Sequence, residues 1–205
     1  MGYEERNKVE SWHLSDTFST HRYRQMARAV KNDPKKILDI GVGSGVGGDV
    51  LRARFPNSVI IGLEAVGDRL GNARASYDEI VHGLATDKIF EDGNFDLVVA
   101  GELIEHIETR DVNVFFQQVF SILRLGGLFI FTTPNPNDIK MRLQNRSVLG
   151  GSHVSQHFIR ETRVRLRLES FRVKRIYGTG RTSLFLGKWF PKFLYGSYMV
   201  IAEKR

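Results

Sequence analysis

Residues 37–45 read Ile-Leu-Asp-Ile-Gly-Val-Gly-Ser-Gly, and Glu64 ends the next apolar run, Val59 to Glu64, 19 residues after Gly45. Ile37, Leu38 and Ile40 put apolar side chains on both faces, the pattern of a buried parallel strand. Gly41, Gly43 and Gly45 then remove every Cβ where that strand must turn into a helix. Without side chains the backbone can take positive φ and lie against a ligand. A carboxylate about 20 residues on, at the tip of a second strand, suits the two hydroxyls of a ribose. The pattern asks for a nucleoside.

Two kinds of nucleoside cofactor compete. Residues 43–48, Gly-Ser-Gly-Val-Gly-Gly, also fit G-x-G-x-x-G, the turn used for nicotinamide and flavin dinucleotides. Asp39 argues against them, because a diphosphate wants the bare helix N-terminus and no adjacent negative charge. A carboxylate there suits a cation. The stretch resembles motif I of the class I S-adenosylmethionine-dependent methyltransferases, whose cofactor carries an ammonium and a sulfonium. That resemblance implies a Rossmann-like, doubly wound α/β sheet of seven strands, with an antiparallel last strand and helices on both faces. It also implies that Asp39, Gly41, Val42, Gly43 and Gly45 border the methionine end, with Glu64 and Ala65 at the ribose. A glycine-rich turn that only packs helix on sheet is the alternative.

The chain's 205 residues suit one domain with a substantial core. It contains no cysteine, which excludes disulfides, thiolate metal sites and a cysteine nucleophile. No apolar run approaches ~18 residues and the first ten are rich in charge, so neither a membrane span nor a secretory leader is expected. A cytoplasmic protein is the expectation. Charge is uneven: residues 139–205 hold 15 Lys+Arg against 3 Asp+Glu, a net of +12, while the remainder holds 15 against 20, a net of −5. The basic C-terminal part suits an anionic substrate, nucleic acid or an acidic membrane surface, or is simply a solvated face.

Strand and helix patterns alternate as a doubly wound domain requires. A lead-in helix is expected over 20–32, within an N-terminal segment 1–33. Strands are expected at 36–40, 58–63, 79–82, 96–100 and 128–132, and helices from the glycines to about 55, near 67–76 and over 111–124. Strands at 171–177 and 197–203 complete the sheet as an antiparallel pair. Segment 160–169 alternates Arg with Val and Leu like a strand, yet Val164, Leu168 and Phe171 share a helical face. Its resemblance to the family's ending implies a helix.

The second motif is residues 95–107, Phe-Asp-Leu-Val-Val-Ala-Gly-Glu-Leu-Ile-Glu-His-Ile. Ligands in open α/β sheets bind beyond the C-terminal strand ends, so Gly101 and Glu102 should border the cofactor. Glu102, Glu105 and His106 resemble the E-x-x-E-H stretch of the quinone-biosynthesis branch of small-molecule methyltransferases. On a helix these positions share one face. Two carboxylates and an imidazole there could hold a divalent metal, with His157 or His153 as a remote ligand, as similar stretches do in small-RNA 3′-end methyltransferases. Alternatively His106 is a general base backed by Glu105, or the pair only caps the loop. After strand three the family's Gly-Asp-Ala is replaced by Gly83-Leu84-Ala85, which leaves Ala85, Thr86 and Asp87 as the adenine contacts. Residues 183–198 interleave aromatics with Lys188 and Lys192, suiting stacked bases, lipid headgroups, a hydrophobic acceptor or a core-covering loop. The reading is a methyltransferase, monomer or homodimer, acting on an anionic or hydrophobic small molecule. The alternatives are an RNA methyltransferase and a catalytically silent cofactor-binding subunit.

Overall fold

The first apolar run becomes the centre of a sheet. In the computed structural model, which describes residues 3–8, 17–71, 76–187 and 190–205, β1 (Lys36–Ile40) lies between β2 (Val59–Glu64) and β4 (Phe95–Gly101), parallel to both. β3 (Glu79–His82) extends one edge beside β2, and β5 (Leu123–Pro134) lies beyond β4, both parallel. β7 (Ser197–Lys204) then runs antiparallel between β5 and β6 (Phe171–Thr179), giving the order β3-β2-β1-β4-β5-β7-β6. The seven-stranded sheet with a reversed last strand is the one expected.

Alternation along the strands builds a core on each face. Leu38, Ile40, Val98, Phe129 and Phe131 pack under α4 (Val112–Ile122) and α6 (Ile159–Leu168) through Phe115, Phe116, Val119 and Leu166. Ile37, Leu97, Val99 and Ile130 face α2 (Thr17–Ala29) and α3 (Val46–Arg54), meeting Tyr23, Met26 and Leu51. Segment 160–169 is helical, and its arginines 163, 165 and 167 lie on the solvent side while Leu166 is buried.

Several boundaries differ from expectation. The lead-in helix spans Thr17–Ala29, ending three residues early, and a short α1 (Tyr3–Lys8) precedes it. Of the helix expected near 67–76, the structure describes one 3₁₀ turn, Gly67–Arg69, while 72–75 lie outside the described residues. The helix expected to run to 124 ends at Ile122, because the Leu123 backbone is already extended and pairs with Phe95. Short helices α5 (Ile139–Leu143) and α7 (Arg181–Leu186) lie between these major elements.

Candidate active site

Gly41, Gly43 and Gly45 all have positive φ (81°, 54° and 83°), so the chain leaves β1 through conformations that a Cβ disfavours. That turn is held by the next strand. Glu64 is buried; Gly43 N–H donates to its Oε2 (2.8 Å) and Val66 N–H to its Oε1 (2.9 Å). Each oxygen keeps a lone pair for another donor. Beside this carboxylate is a cavity of about 290 Å³, bordered by Gly41, Glu64, Ala65, Leu84, Ala85 and Thr86. Leu103, His106 and Ile107 line it as well. α1 reaches the rim through Tyr3 and Arg6, and Arg6 pairs with Glu108 at 3.2 Å. A bond from Arg69 to the Asn7 carbonyl also ties α1 down. Nothing in the local sequence marks Tyr3 or Arg6 as site residues.

Asp39 stands elsewhere. Alternation along β1 sends Leu38 and Ile40 to the α4 face, so Asp39 points with Ile37 toward α2 and α3. There it is fully buried and accepts hydrogen bonds from Tyr23 (2.7 Å) and Tyr77 (2.6 Å). Burial raises its carboxyl to about 7, against the lowering effect of the two hydroxyls. It does not border this cavity, and its partners are phenols. Tyr23 was detectable as one of the apolar stripe Tyr23, Met26, Ala27 and Val30; Tyr77 carried no such signal. Gly101 also serves Tyr23, whose ring lies where a Cβ at 101 would project. Val42, Gly43, Gly45, Gly101, Glu102 and Asp87 do not line the cavity, and Leu84 occupies the rim where an acid was sought in Asp87.

The E-x-x-E-H stretch is not a continuous helix. Glu102 has φ 54°, its N–H donating to both the carbonyl and the hydroxyl of Thr132, and only Ile104–His106 form a 3₁₀ turn. The shared helical face expected for 102, 105 and 106 is therefore corrected. Glu102 turns toward Ser197, which donates to its Oε2 (3.3 Å), and toward Arg22 at 3.7 Å. A non-glycine residue held at positive φ is the kind of strain found at functional sites.

Glu105 and His106 are buried. Thr133 donates to Glu105 Oε2 (3.1 Å), while Val154 and Ser155 N–H groups donate to its backbone carbonyl, folding segment 150–157 over it. Glu105 Oε1 has no hydrogen-bond partner among the described residues. Burial, and then the neighbouring Glu102 carboxylate, push the Glu105 carboxyl well above its usual range. The His106 ring meets His153 edge-on at 4.8 Å, and ligand atoms of Glu105, His106 and His153 lie within 4.8 Å of one another. His157 is not in this group. Its Nε2 lies 2.8 Å from Ser155 Oγ and 3.1 Å from the Ile104 carbonyl, and burial lowers its pKa to about 4. Of the two remote histidines considered, His153 is the one brought to Glu105 and His106.

Residues 12–182 match a family model described as a methyltransferase domain. Over 123 residues the chain is 32% identical to a fatty-acid O-methyltransferase of Mycolicibacterium smegmatis, covering 58% of this chain and 44% of that protein. It is 27% identical over 154 residues to a ubiquinone biosynthesis O-methyltransferase of Methylobacterium nodulans, covering 72% and 59%. The chain spans about half the length of the curated relatives it matches. A crystal structure of an S-adenosylmethionine-dependent methyltransferase from Archaeoglobus fulgidus superposes with a TM-score of 0.72 at 18% identity, covering 90% and 92% of the two chains. The chain belongs to the methyltransferase domain family, with the Rossmann-like fold of its class I S-adenosylmethionine-dependent members.

Proposed function

We propose that the chain binds S-adenosylmethionine in the cavity beside Glu64 and transfers its methyl group to an oxygen of an amphiphilic small molecule. The observation that carries this reading is one cavity bordered by both the Glu64 carboxylate and the His106 imidazole. Glu64 would take the ribose hydroxyls on its remaining lone pairs, and Leu84, Ala85, Thr86 and Leu103 would line the adenine end. Oxygen is favoured because the fatty-acid and ubiquinone-biosynthesis relatives are both O-methyltransferases by name. When bound, S-adenosylmethionine would supply an electrophilic methyl group, which an acceptor oxygen would take while the carbon–sulfur electron pair stayed on sulfur as a neutral thioether. His106 would take the proton of a hydroxyl acceptor, its ring packed edge-on against His153. Replacing His106 with Ala should lower kcat by roughly 10²–10⁴-fold, the usual range for a general base, with cofactor affinity nearly intact. Normal turnover with the true acceptor would make His106 structural.

A second reading uses the same side chains. Glu105, with one buried oxygen that lacks a hydrogen-bond partner among the described residues, and the imidazoles of His106 and His153 form a donor set that fits a borderline divalent ion. Such an ion would polarise an acceptor oxygen and lower its pKa. Chelator-sensitive activity restored by manganese, with calorimetric manganese binding lost in Glu105→Gln, supports this reading. Chelator-insensitive activity leaves His106 as the base.

A further inference from the structure

The described residues carry fourteen large apolar side chains exposed to solvent, and eight of them fall within 139–149 and 184–193. Singly exposed apolar residues are ordinary; a cluster marks a surface that meets something. Phe185 is 87% exposed and Leu143 80%, with Phe190 and Phe193 about half exposed. The 192–193 turn shares a surface with 139–143, and the end of α7 is tied to that turn. Phe193, Lys192, Ile139 and Leu143 border a common groove of about 740 Å³. Phe190 N–H donates to the Tyr195 hydroxyl, which donates in turn to the Gly187 carbonyl, tying the end of α7 to the 192–195 turn.

Charge on this surface has one sign. No acidic residue occurs from 139 to 160 or from 170 to 202. Lys140, Arg142, Arg146, Arg181 and Lys192 are all exposed there, and none forms an ion pair among the described residues. The surface also adjoins the reaction end of the sheet. Asn135, at the end of β5, donates from Nδ2 to the Lys192 and Tyr195 carbonyls, and Ser197 beyond it reaches Glu102.

We infer that this face docks onto an anionic lipid surface, with Phe185, Leu143 and Phe193 entering the headgroup boundary and the surrounding Lys and Arg side chains meeting lipid phosphates. Apolar side chains between basic ones are the arrangement that holds a protein at a lipid interface, each part contributing separately. Protruding Leu and Ile side chains are of no use to a nucleic acid, which rewards aromatic stacking and phosphate contacts. Docking here would present the reaction end of the sheet to the bilayer, where an amphiphilic acceptor resides. That consequence rests on the proposed function; the docking does not.

Co-sedimentation of the intact chain tests the inference, using vesicles of phosphatidylcholine alone and of phosphatidylcholine mixed with phosphatidylglycerol. Binding to the mixed vesicles, weakened by salt and nearly absent on phosphatidylcholine alone, is the expected result. Phe185→Ser with Phe193→Ser, and separately Arg142→Gln with Lys192→Gln, should each weaken binding by at least about tenfold. Both double variants should keep the parent's thermal midpoint and cofactor affinity, which separates lost docking from lost folding or a failed cofactor assignment. Three results would overturn the inference: no sedimentation with the mixed vesicles, equal sedimentation of folded variants, or tight binding of a single-stranded RNA oligonucleotide that the vesicles do not displace.

Discussion

Glu64 and Asp87 were both candidate cofactor contacts, and the structure gives them different standing. Glu64 borders the cavity and already organises Gly43 and Val66, whereas Asp87 lies outside it, its N–H closing a turn to Leu84. Glu64→Ala should therefore weaken S-adenosylmethionine binding by at least about a hundredfold, since two charge-assisted hydrogen bonds of roughly 1.5–3 kcal/mol each are lost. Asp87→Ala should leave calorimetric affinity within about threefold, and equal losses would mean the ribose lies elsewhere. Asp39 makes a pH prediction. Its carboxyl sits at about 7 in the folded protein, above the ordinary carboxylate value of about 3.9, so the folded state holds the extra proton. Stability from this group is full below about pH 4, falls as pH rises toward 7, and is flat above. Thermal midpoints should show that decline, and Asp39→Asn should flatten it; an unchanged slope in the variant would assign the decline to other groups. The identity of Asp39 was legible in the sequence but its direction was not, since that depends on which face of β1 the helices leave for Tyr23 and Tyr77.

At the level of elements, α3 begins against those two tyrosines. A Cβ on Gly48 would run into the Tyr77 ring, while one on Gly71 would meet nothing. Gly48→Ala should cost about 1–3 kcal/mol in urea unfolding and reduce cofactor affinity as the start of α3 shifts. Gly71→Ala should change stability by less than about 0.5 kcal/mol, as isolated surface substitutions do. Strands were easier to read than what joins them. The apolar runs of β1, β2 and β4 are buried almost throughout, so hydrophobicity alone located them. The 102–107 segment deceived because i, i+3, i+4 spacing assumes a helix. Tertiary contacts decided otherwise: Glu102 is held by Thr132, and Glu105 by Thr133 and the 154–155 backbone. Segment 160–169 shows the converse, a period of two in charge that yields to helical burial of Thr162 and Leu166.

Across the whole molecule, the parallel strands all end on one side, and the candidate site gathers there from β1, β2, the turn after β3, and the segment after β4. This placement follows from topology, since loops beyond the carboxyl ends of parallel strands converge where the strand order reverses. Glycine turn, second-strand carboxylate and sheet order were therefore legible together, from residues 37–64 and the alternation of elements. The covering of the cavity by α1 was not, because its contacts with Glu108 and Arg69 join residues far apart in sequence. On the proposed function, this cleft takes S-adenosylmethionine and not a dinucleotide. Isothermal titration calorimetry of the intact chain with S-adenosylmethionine, its demethylated product and NAD tests it directly. Saturable binding of the first two, lost in Glu64→Ala, and no heat with NAD are expected; tight NAD binding with no S-adenosylmethionine signal would overturn the assignment.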